Sequence, residues 1–328
     1  MRDATKTNVL ITGAAGFIGS NLVRRCLAEG WNVAGVDNLS NGQVAFLPAD
    51  FIEKEDKFWI CDFADEAMLH EVREQSFDYV FHLAALPRVS YSVEHPLETH
   101  EVNVNKTLKL IDACRDNIKR FIFASSSSVY GGAEHLPTHE NDPKDPKSPY
   151  ALQKSIVEEY LNLYELLYKF QSVPLRFFNV FGPRQLGDSP YACAVAAWLT
   201  AIKKGEPMRS DGDGEQSRDL CYVDNVTDAC VKAAKADGYT AARPYNVACG
   251  DRTTNNEILQ ALVKRYPGAT VRNAPTRAGD VLHTLANVSR AREEIGYEPT
   301  VRFWEGFDRT CDWYDANWDA VKDLRLSI

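Results

Sequence analysis

Tyr150 and Lys154 stand four residues apart in the segment Ser148-Pro149-Tyr150-Ala151-Leu152-Gln153-Lys154. On a helix that spacing sets both side chains on one face. An ammonium beside a phenol favours the phenolate and draws a reference pKa of about 10 toward neutrality. Such a tyrosine can take a proton from a hydroxyl while hydride leaves the same carbon. A tyrosine and a lysine at this spacing are also common on solvated helix faces, so the pair gains meaning from its surroundings. One neighbour is the run Ala124-Ser125-Ser126-Ser127-Ser128-Val129-Tyr130-Gly131. A single serine there would only bond its local backbone. Four hydroxyls at a strand end lie where open α/β sheets hold ligands.

The other neighbour is Thr12-Gly13-Ala14-Ala15-Gly16-Phe17-Ile18-Gly19, which joins an apolar strand to a helical pattern. Gly13, Gly16 and Gly19 permit a tight turn, close approach of a pyrophosphate and tight helix–sheet packing. The helix N-terminus then offers N–H donors and a favourable dipole. The first gap is one residue longer than in the common dinucleotide fingerprint. The next strand closes with Val36-Asp37, and Asp37 follows Gly19 by eighteen residues. A carboxylate there binds both adenosine-ribose hydroxyls and repels a 2′-phosphate. The next basic residue is Lys54. These features favour NAD over NADP.

The elements that must position these groups follow from hydrophobic patterning. Strands are expected at Asn8–Thr12, Asn32–Asp37, Phe58–Cys61, Tyr79–Leu83, Phe121–Ala124 and Pro174–Phe178. They are apolar almost throughout, as in a parallel sheet buried on both faces. Ile18, Leu22, Val23, Cys26 and Leu27 mark a first helix, with Gly30 as its stop. Leu152, Ile156, Tyr160, Leu163 and Leu167 mark a second helix, and the simplest use of that stripe is packing on the sheet. The β-α-β alternation predicts an α/β fold, a Rossmann-type doubly wound parallel sheet with a smaller α/β substrate-binding domain. Residues 1–178 form the nucleotide-binding part. Residues 179–328 mainly form the substrate part, with some segments returning to the sheet. The proline-bearing segment Gly131–Pro149 has the length of a functional loop.

The chain has 328 residues and a formal charge of −9, with 45% hydrophobic and 25% charged residues. Those are ordinary globular values and exclude collagen-like, disordered and coiled-coil classes. An acidic balance argues against nucleic acid and anionic membranes as partners. The first apolar run, Val9-Leu10-Ile11, is too short for a signal segment, and no later run reaches the roughly 18 apolar residues of a membrane span. Cysteines 26, 61, 114, 193, 221, 230, 249 and 311 are scattered, which points to buried reduced thiols and a cytoplasmic setting, with no metal site.

Taken together, the motifs resemble the extended branch of the short-chain dehydrogenase/reductases, the nucleotide-sugar epimerases and dehydratases. The resemblance covers essentially the whole chain. It is carried by the glycine turn, Asp37-Asn38, Cys61-Asp62-Phe63, His82-Leu83-Ala84-Ala85, Asn103, the serine run, Tyr150/Lys154 and Arg176-Phe177-Phe178-Asn179-Val180-Phe181-Gly182. It continues through Gly212-Asp213-Gly214-Glu215-Gln216-Ser217-Arg218-Asp219 and Arg277-Ala278-Gly279-Asp280. It implies a catalytic set of Ser126, Tyr150 and Lys154. It implies NAD contacts at Gly13, Gly16, Phe17, Ile18, Gly19, Asp37, Asn38, Leu39, Ser40, Asn41, Gly42, Asp62, Phe63, Leu83, Ala84, Ala85, Asn103, Ala124, Phe177 and Phe178, with Tyr150 and Lys154. For a UDP-sugar it implies Arg88, Ser126, Ser127, Tyr150, Asn179, Ala194, Val195, Trp198, Met208, Ser210, Arg218, Arg277, Asp280 and Thr284. Arg218 and Arg277 would fork onto phosphate or ribose, and Asp280 would bind a ribose hydroxyl.

Within the family, 4,6-dehydratases would carry Asp and Glu at positions 127 and 128, where this chain has Ser127 and Ser128. The Ser-rich form resembles 4-epimerases. Arg176–Gly182 followed by Pro183-Arg184-Gln185 is most similar to UDP-N-acetylglucosamine 4-epimerases. Hexose epimerases that exclude N-acetyl groups have a bulky tyrosine four residues after the Asp of the Arg-x-Gly-Asp motif, and here that position is Thr284. The resemblance therefore implies interconversion of UDP-GlcNAc and UDP-GalNAc, with UDP-Glc and UDP-Gal as further substrates, through a 4-keto sugar. Alternatives are a UDP-glucose or UDP-glucuronate 4-epimerase, a dehydratase of the same fold, or a non-catalytic NAD-sensing module. Asn287 replaces the usual Asp after Ala, and Leu86–Ser92 departs from the loop of close relatives. The family also implies a homodimer built on two helices.

Overall fold

The computed structural model describes residues 6–324 apart from 54–56, 76, 133–134, 188–192, 239–241 and 277–280. Six strands in chain order are β1 (Asn8–Thr12), β2 (Asn32–Asp37), β3 (Phe58–Ile60), β4 (Tyr79–His82), β5 (Arg120–Ser126) and β6 (Ser172–Phe177). A seventh, Tyr245–Val247, comes from the second half and pairs with β6. The order across the sheet is Tyr245–Val247, β6, β5, β4, β1, β2, β3, and every pairing is parallel. The strand order reverses between β1 and β4, so the crevice beyond their C-terminal ends is the ligand position of a doubly wound sheet.

Alternate strand residues enter opposite faces. Val9 and Ile11 of β1 pack with Leu22, Val23 and Cys26 of the helix Phe17–Ala28. Leu10 packs on the other face with Leu110 and Ile111. In β5, Ile122 joins the first core while Phe121 and Phe123 join the second. β5 runs two residues further than the apolar pattern suggests, because Ser125 and Ser126 pair with Arg176 and Phe177 of β6. The first two serines of the run are therefore strand residues. A third core, with Phe181, Trp198, Leu199, Ile258, Leu262, Phe303 and Tyr314, belongs to the second half.

The helix Pro149–Tyr168 starts as its sequence dictates. Ser148 caps it by accepting the Ala151 amide at 3.2 Å, and Pro149 occupies its first turn. Its faces are reversed from the simplest expectation. The buried face carries Gln153, Lys154, Ser155 and Glu158 beside Ala151, Val157 and Leu161. Of the apolar stripe, Leu152 is 49% exposed, Leu163 44% and Leu167 57%, while Ile156 packs at the edge of the second core. The helix turns its polar face to the sheet ends, and its apolar stripe faces outward.

All eight cysteines are free thiols, and all but Cys61 and Cys193 are buried. Among the described residues no helix is long and apolar enough to cross a membrane, and no cluster of His, Cys, Asp or Glu could hold a metal ion.

Candidate active site

β1 hands the chain to the helix Phe17–Ala28 through the glycine turn. Gly13 sits at φ +68, and a Cβ there would come within 2.9 Å of the Ala84 nitrogen at the end of β4. A Cβ on Gly19 would lie 1.9 Å from the Gly13 carbonyl oxygen. Side chains at either position would close the turn. Gly16 is the N-cap and supplies no capping side chain; the amides of the first turn, having no partner within the helix, are anion donors. Asp37 accepts the Ala15 amide at 2.9 Å and the Leu39 amide at 2.8 Å. Burial raises its carboxyl above the ordinary range against those bonds. A Cβ on Gly42 would fall 2.6 Å from Asp37 Oδ1, so the loop after β2 folds tightly over the carboxylate. A side-chain-free cradle at a helix start beside a buried carboxylate fits a dinucleotide such as NAD.

These groups open onto a cavity of about 1440 Å³. A single small ligand fills roughly 300–1,000 Å³, so the volume suits two ligands together. Gly13, Gly16, Phe17, Ile18, Gly19, Asp37, Asn38, Ser40, Asn41, Gly42, Asp62, Phe63, Leu83, Ala84, Ala85, Ala124, Tyr150, Lys154, Phe177 and Phe178 line it. Asp62 accepts the Ala64 amide at 2.9 Å and pairs with Lys106 at 2.6 Å. From the expected sugar set, Arg88, Ser126, Ser127, Asn179, Arg218 and Thr284 also line it.

Other expected contacts do not reach the wall. Leu39, at φ +60, packs against the first core. Asn103 is buried as a clamp: its Oδ1 accepts the Leu86 amide at 2.8 Å, and its Nδ2 donates to Gln153 Oε1 at 2.8 Å. Val195, Trp198 and Met208 belong to the third core, with Ala194 packed against it. Trp198 donates its indole N–H to the Arg209 carbonyl at 2.7 Å. Their apolar side chains are consumed in holding the second half together. Ser210 faces a separate hollow of about 540 Å³ between Asn256, Lys264 and Asn273. Arg277 and Asp280 lie outside the described residues.

At the far end of β5, Ser126 hydrogen-bonds the Tyr150 hydroxyl, and its oxygen also takes the Ser128 amide at 3.1 Å. Lys154 is buried, donates to the Ala124 carbonyl at 2.7 Å and lies 5.7 Å from the Tyr150 ring centre. Burial pushes the Tyr150 phenol up to about 12, with the Ser126 bond acting the other way. Burial pushes Lys154 down to about 7, against the pull of Glu158. The sequence suggests an ammonium that draws the phenol pKa toward neutrality; in the folded chain burial acts on Tyr150 in the opposite direction, and the Ser126 hydrogen bond is what favours its phenolate.

Behind this layer lies a polar network that spacing alone could have suggested. Glu158 continues the four-residue step from Tyr150 and Lys154, and it is buried. Arg176 forks onto it at 2.9 and 2.7 Å, and Ser125 donates to it at 2.6 Å. Arg176 also donates to the Tyr130 hydroxyl at 2.8 Å, which donates to Asn246 at 2.7 Å. The network ties β5, β6, the strand Tyr245–Val247 and the tyrosine helix together. His82, between the Thr12 and Thr107 hydroxyls at 2.7 and 2.9 Å, is held neutral by burial, its pKa pushed down to about 3.

In the second half of the chain, Arg218 also lines the cavity and donates to the carbonyls of Ser217 and Leu282, each at 3.1 Å. The buried Asp219 carboxylate gathers the amides of Cys249, Gly250 and Ala286 at 2.9, 3.1 and 3.1 Å. It therefore pins the segment that carries Thr284.

Comparison with known proteins agrees with this geometry. Residues 9–248 match the NAD dependent epimerase/dehydratase family. The chain is 36% identical over 312 residues to a UDP-glucose 4-epimerase of Mycolicibacterium smegmatis, covering 93% of this chain and 97% of that protein. Its fold superposes with a TM-score of 0.88 on a UDP-N-acetylglucosamine 4-epimerase of Methanobrevibacter ruminantium in complex with UDP-N-acetylmuramic acid. That protein is 36% identical, with 95% and 99% of the two chains covered. A UDP-glucuronic acid 4-epimerase of Bacillus cereus, solved with UDP-glucuronic acid and NAD, gives 0.86 at 27% identity, with 94% and 99% covered.

Proposed function

The chain belongs to the NAD-dependent epimerase/dehydratase family, and from that premise we propose that it is a nucleotide-sugar 4-epimerase interconverting UDP-GlcNAc and UDP-GalNAc. UDP-Glc and UDP-Gal are further substrates. The observation that carries the reading is that Ser126, Tyr150 and Lys154 line the same cavity as Asn179, Arg218 and Thr284. Ser127 and Ser128 offer hydroxyls where dehydration needs an acid, which supports epimerisation.

In this mechanism Tyr150 takes the proton of the sugar C4 hydroxyl, and Ser126 holds the same oxygen. When bound, oxidised NAD would supply the acceptor for hydride from C4 and a positive charge that favours the Tyr150 phenolate. Lys154, fixed by the Ala124 carbonyl, orients the nucleotide ribose and adds its charge. Tyr150 returns the proton when the keto sugar is reduced from its other face, so no net oxidation occurs. Arg218 holds the UDP away from the chemistry while the sugar turns, with Arg277 and Asp280 as partners. Residues 1–178 hold the cofactor and residues 179–328 mainly shape the sugar pocket. The small Thr284 leaves room for a C2 N-acetyl group. Tyr150→Phe tests the assignment: turnover falls about 100- to 10,000-fold while NAD stays bound, and normal turnover contradicts it.

A second reading, a UDP-glucuronate 4-epimerase, is favoured by one observation. Ser127 and Ser128 both line the cavity, and the buried Ser128 hydroxyl has no partner among the described residues. Hydroxyls there suit a sugar carboxylate.

The assembly that fits is a homodimer in the cytoplasm. The outward stripe of the tyrosine helix, with Leu166 at 65% exposure, is supplemented by Val93 and Leu97 on neighbouring helices. A second copy presenting the same stripe buries it. The free thiols support a reducing compartment.

A further inference from the structure

The cavity wall carries a cation that the mechanism above does not use. Arg184 follows Phe181-Gly182-Pro183 and sits at φ +70, in the left-handed region that a non-glycine residue occupies only when its surroundings hold it there. It lines the cavity beside Gln185 and Leu186. Its Nη2 donates to Asn21 Oδ1. Its Nε is buried with no acceptor among the described residues.

Asn21 is a purpose-fitted seat. Its Nδ2 donates to the Phe17 carbonyl at 2.8 Å and to the Pro183 carbonyl at 3.2 Å. One amide thereby fastens the Arg184 loop to the opening of the glycine-turn helix, whose first amides are unpaired and whose dipole favours anions.

Arg184 takes part in no ion pair among the described residues. The charges that act on it are Arg24, of like sign, and Asp224, which pairs with Arg309 at 3.5 Å. Burial and Arg24 bring its pKa down to about 10, so it stays charged at neutral pH. A half-buried guanidinium without a carboxylate is costly to hold in place. A doubly charged phosphate group would satisfy it, since the guanidinium fork matches phosphate oxygens.

We propose that Arg184 is a diphosphate-binding residue, contacting a phosphate oxygen of a nucleotide seated in this cavity. The proposal rests on the nucleotide-binding reading of the cavity. The diphosphate comes either from the dinucleotide or from the nucleotide sugar, and binding measurements separate the two.

The test compares wild type with Arg184→Gln. NAD retained through purification is quantified after denaturation, and the affinity for UDP is measured by calorimetry at low and high salt. Loss of retained NAD with UDP affinity unchanged assigns Arg184 to the cofactor diphosphate. UDP binding weakened about 10-fold or more, with NAD retained, assigns it to the substrate. In the substrate case the wild type also loses more UDP affinity with salt than the variant does. A folded variant with both properties within twofold of wild type overturns the proposal. If the glutamine variant does not fold, Arg184→Lys carries the test, because it keeps the charge and loses the fork. Unchanged NAD retention and UDP affinity in that variant overturn the proposal. Wild type that binds neither nucleotide would overturn the cavity reading itself.

Discussion

The Thr284 hydroxyl accepts the side-chain amide of Asn179 at 3.1 Å, and the same oxygen takes the backbone N–H of Asp219 at 3.0 Å. Three chain segments meet at one small side chain on the cavity wall. Its size and position are fixed together, because Asp219 also anchors the segment beyond it through the Ala286 amide.

Thr284→Tyr fills the space that the proposed reading gives to an N-acetyl group. Turnover of UDP-GlcNAc then falls about 100-fold relative to UDP-Glc, measured as kcat/KM for each sugar. Equal losses on both sugars would remove the size argument.

The Glu158–Arg176 pair is buried on both sides, each side chain 3% exposed. Breaking it from one side leaves an uncompensated buried charge. Arg176→Met or Glu158→Gln alone destabilises by about 3–5 kcal/mol, read by urea unfolding. The double variant loses less than the two single losses together. Strict additivity would show that the pair does not act as a unit.

Lys154 gives a pH-dependent signature. Its pKa is about 7 in the folded chain against an ordinary 10.5. Between those values the unfolded chain binds more protons, so this residue's destabilising effect is complete below pH 7 and fades as pH rises toward 10.5. Nucleotide-free Lys154→Met therefore melts above wild type at pH 6.5, by a margin that shrinks at pH 9.5, although its turnover is lost. A margin independent of pH would contradict the burial argument.

Leu163→Glu with Leu167→Glu places charges on the outward stripe. Light scattering reports a monomer where wild type is a dimer, with helix content unchanged by circular dichroism. A dimer surviving both substitutions places the interface elsewhere.

Local chemistry was the part the sequence made legible. The glycine turn, Asp37 and the Ser148-Pro149 helix start act within a few residues of themselves, so spacing alone located them. Apolar residues in the second half were harder. Trp198 reads equally as pocket wall or core, and Val195 and Met208 read as substrate contacts; only the packing of distant segments puts all three in the core. The stripe on the tyrosine helix misled for the same reason: periodicity shows that two faces differ, not which one meets the sheet. Arg176 and Glu158 are eighteen residues apart, and their pairing needs β6 folded beside the helix. The state of Tyr150 depends on desolvation, which no spacing reports.

The most direct measurement follows the sugar itself. Purified protein is incubated with UDP-GlcNAc and, separately, UDP-GalNAc, with no NAD added, and the products are read by NMR and mass. Interconversion at C4 with unchanged mass, reaching one ratio from both sides and abolished in Tyr150→Phe, is the predicted result. A product lighter by one water, or N-acetylated sugars left unchanged by protein that carries NAD, would contradict the account.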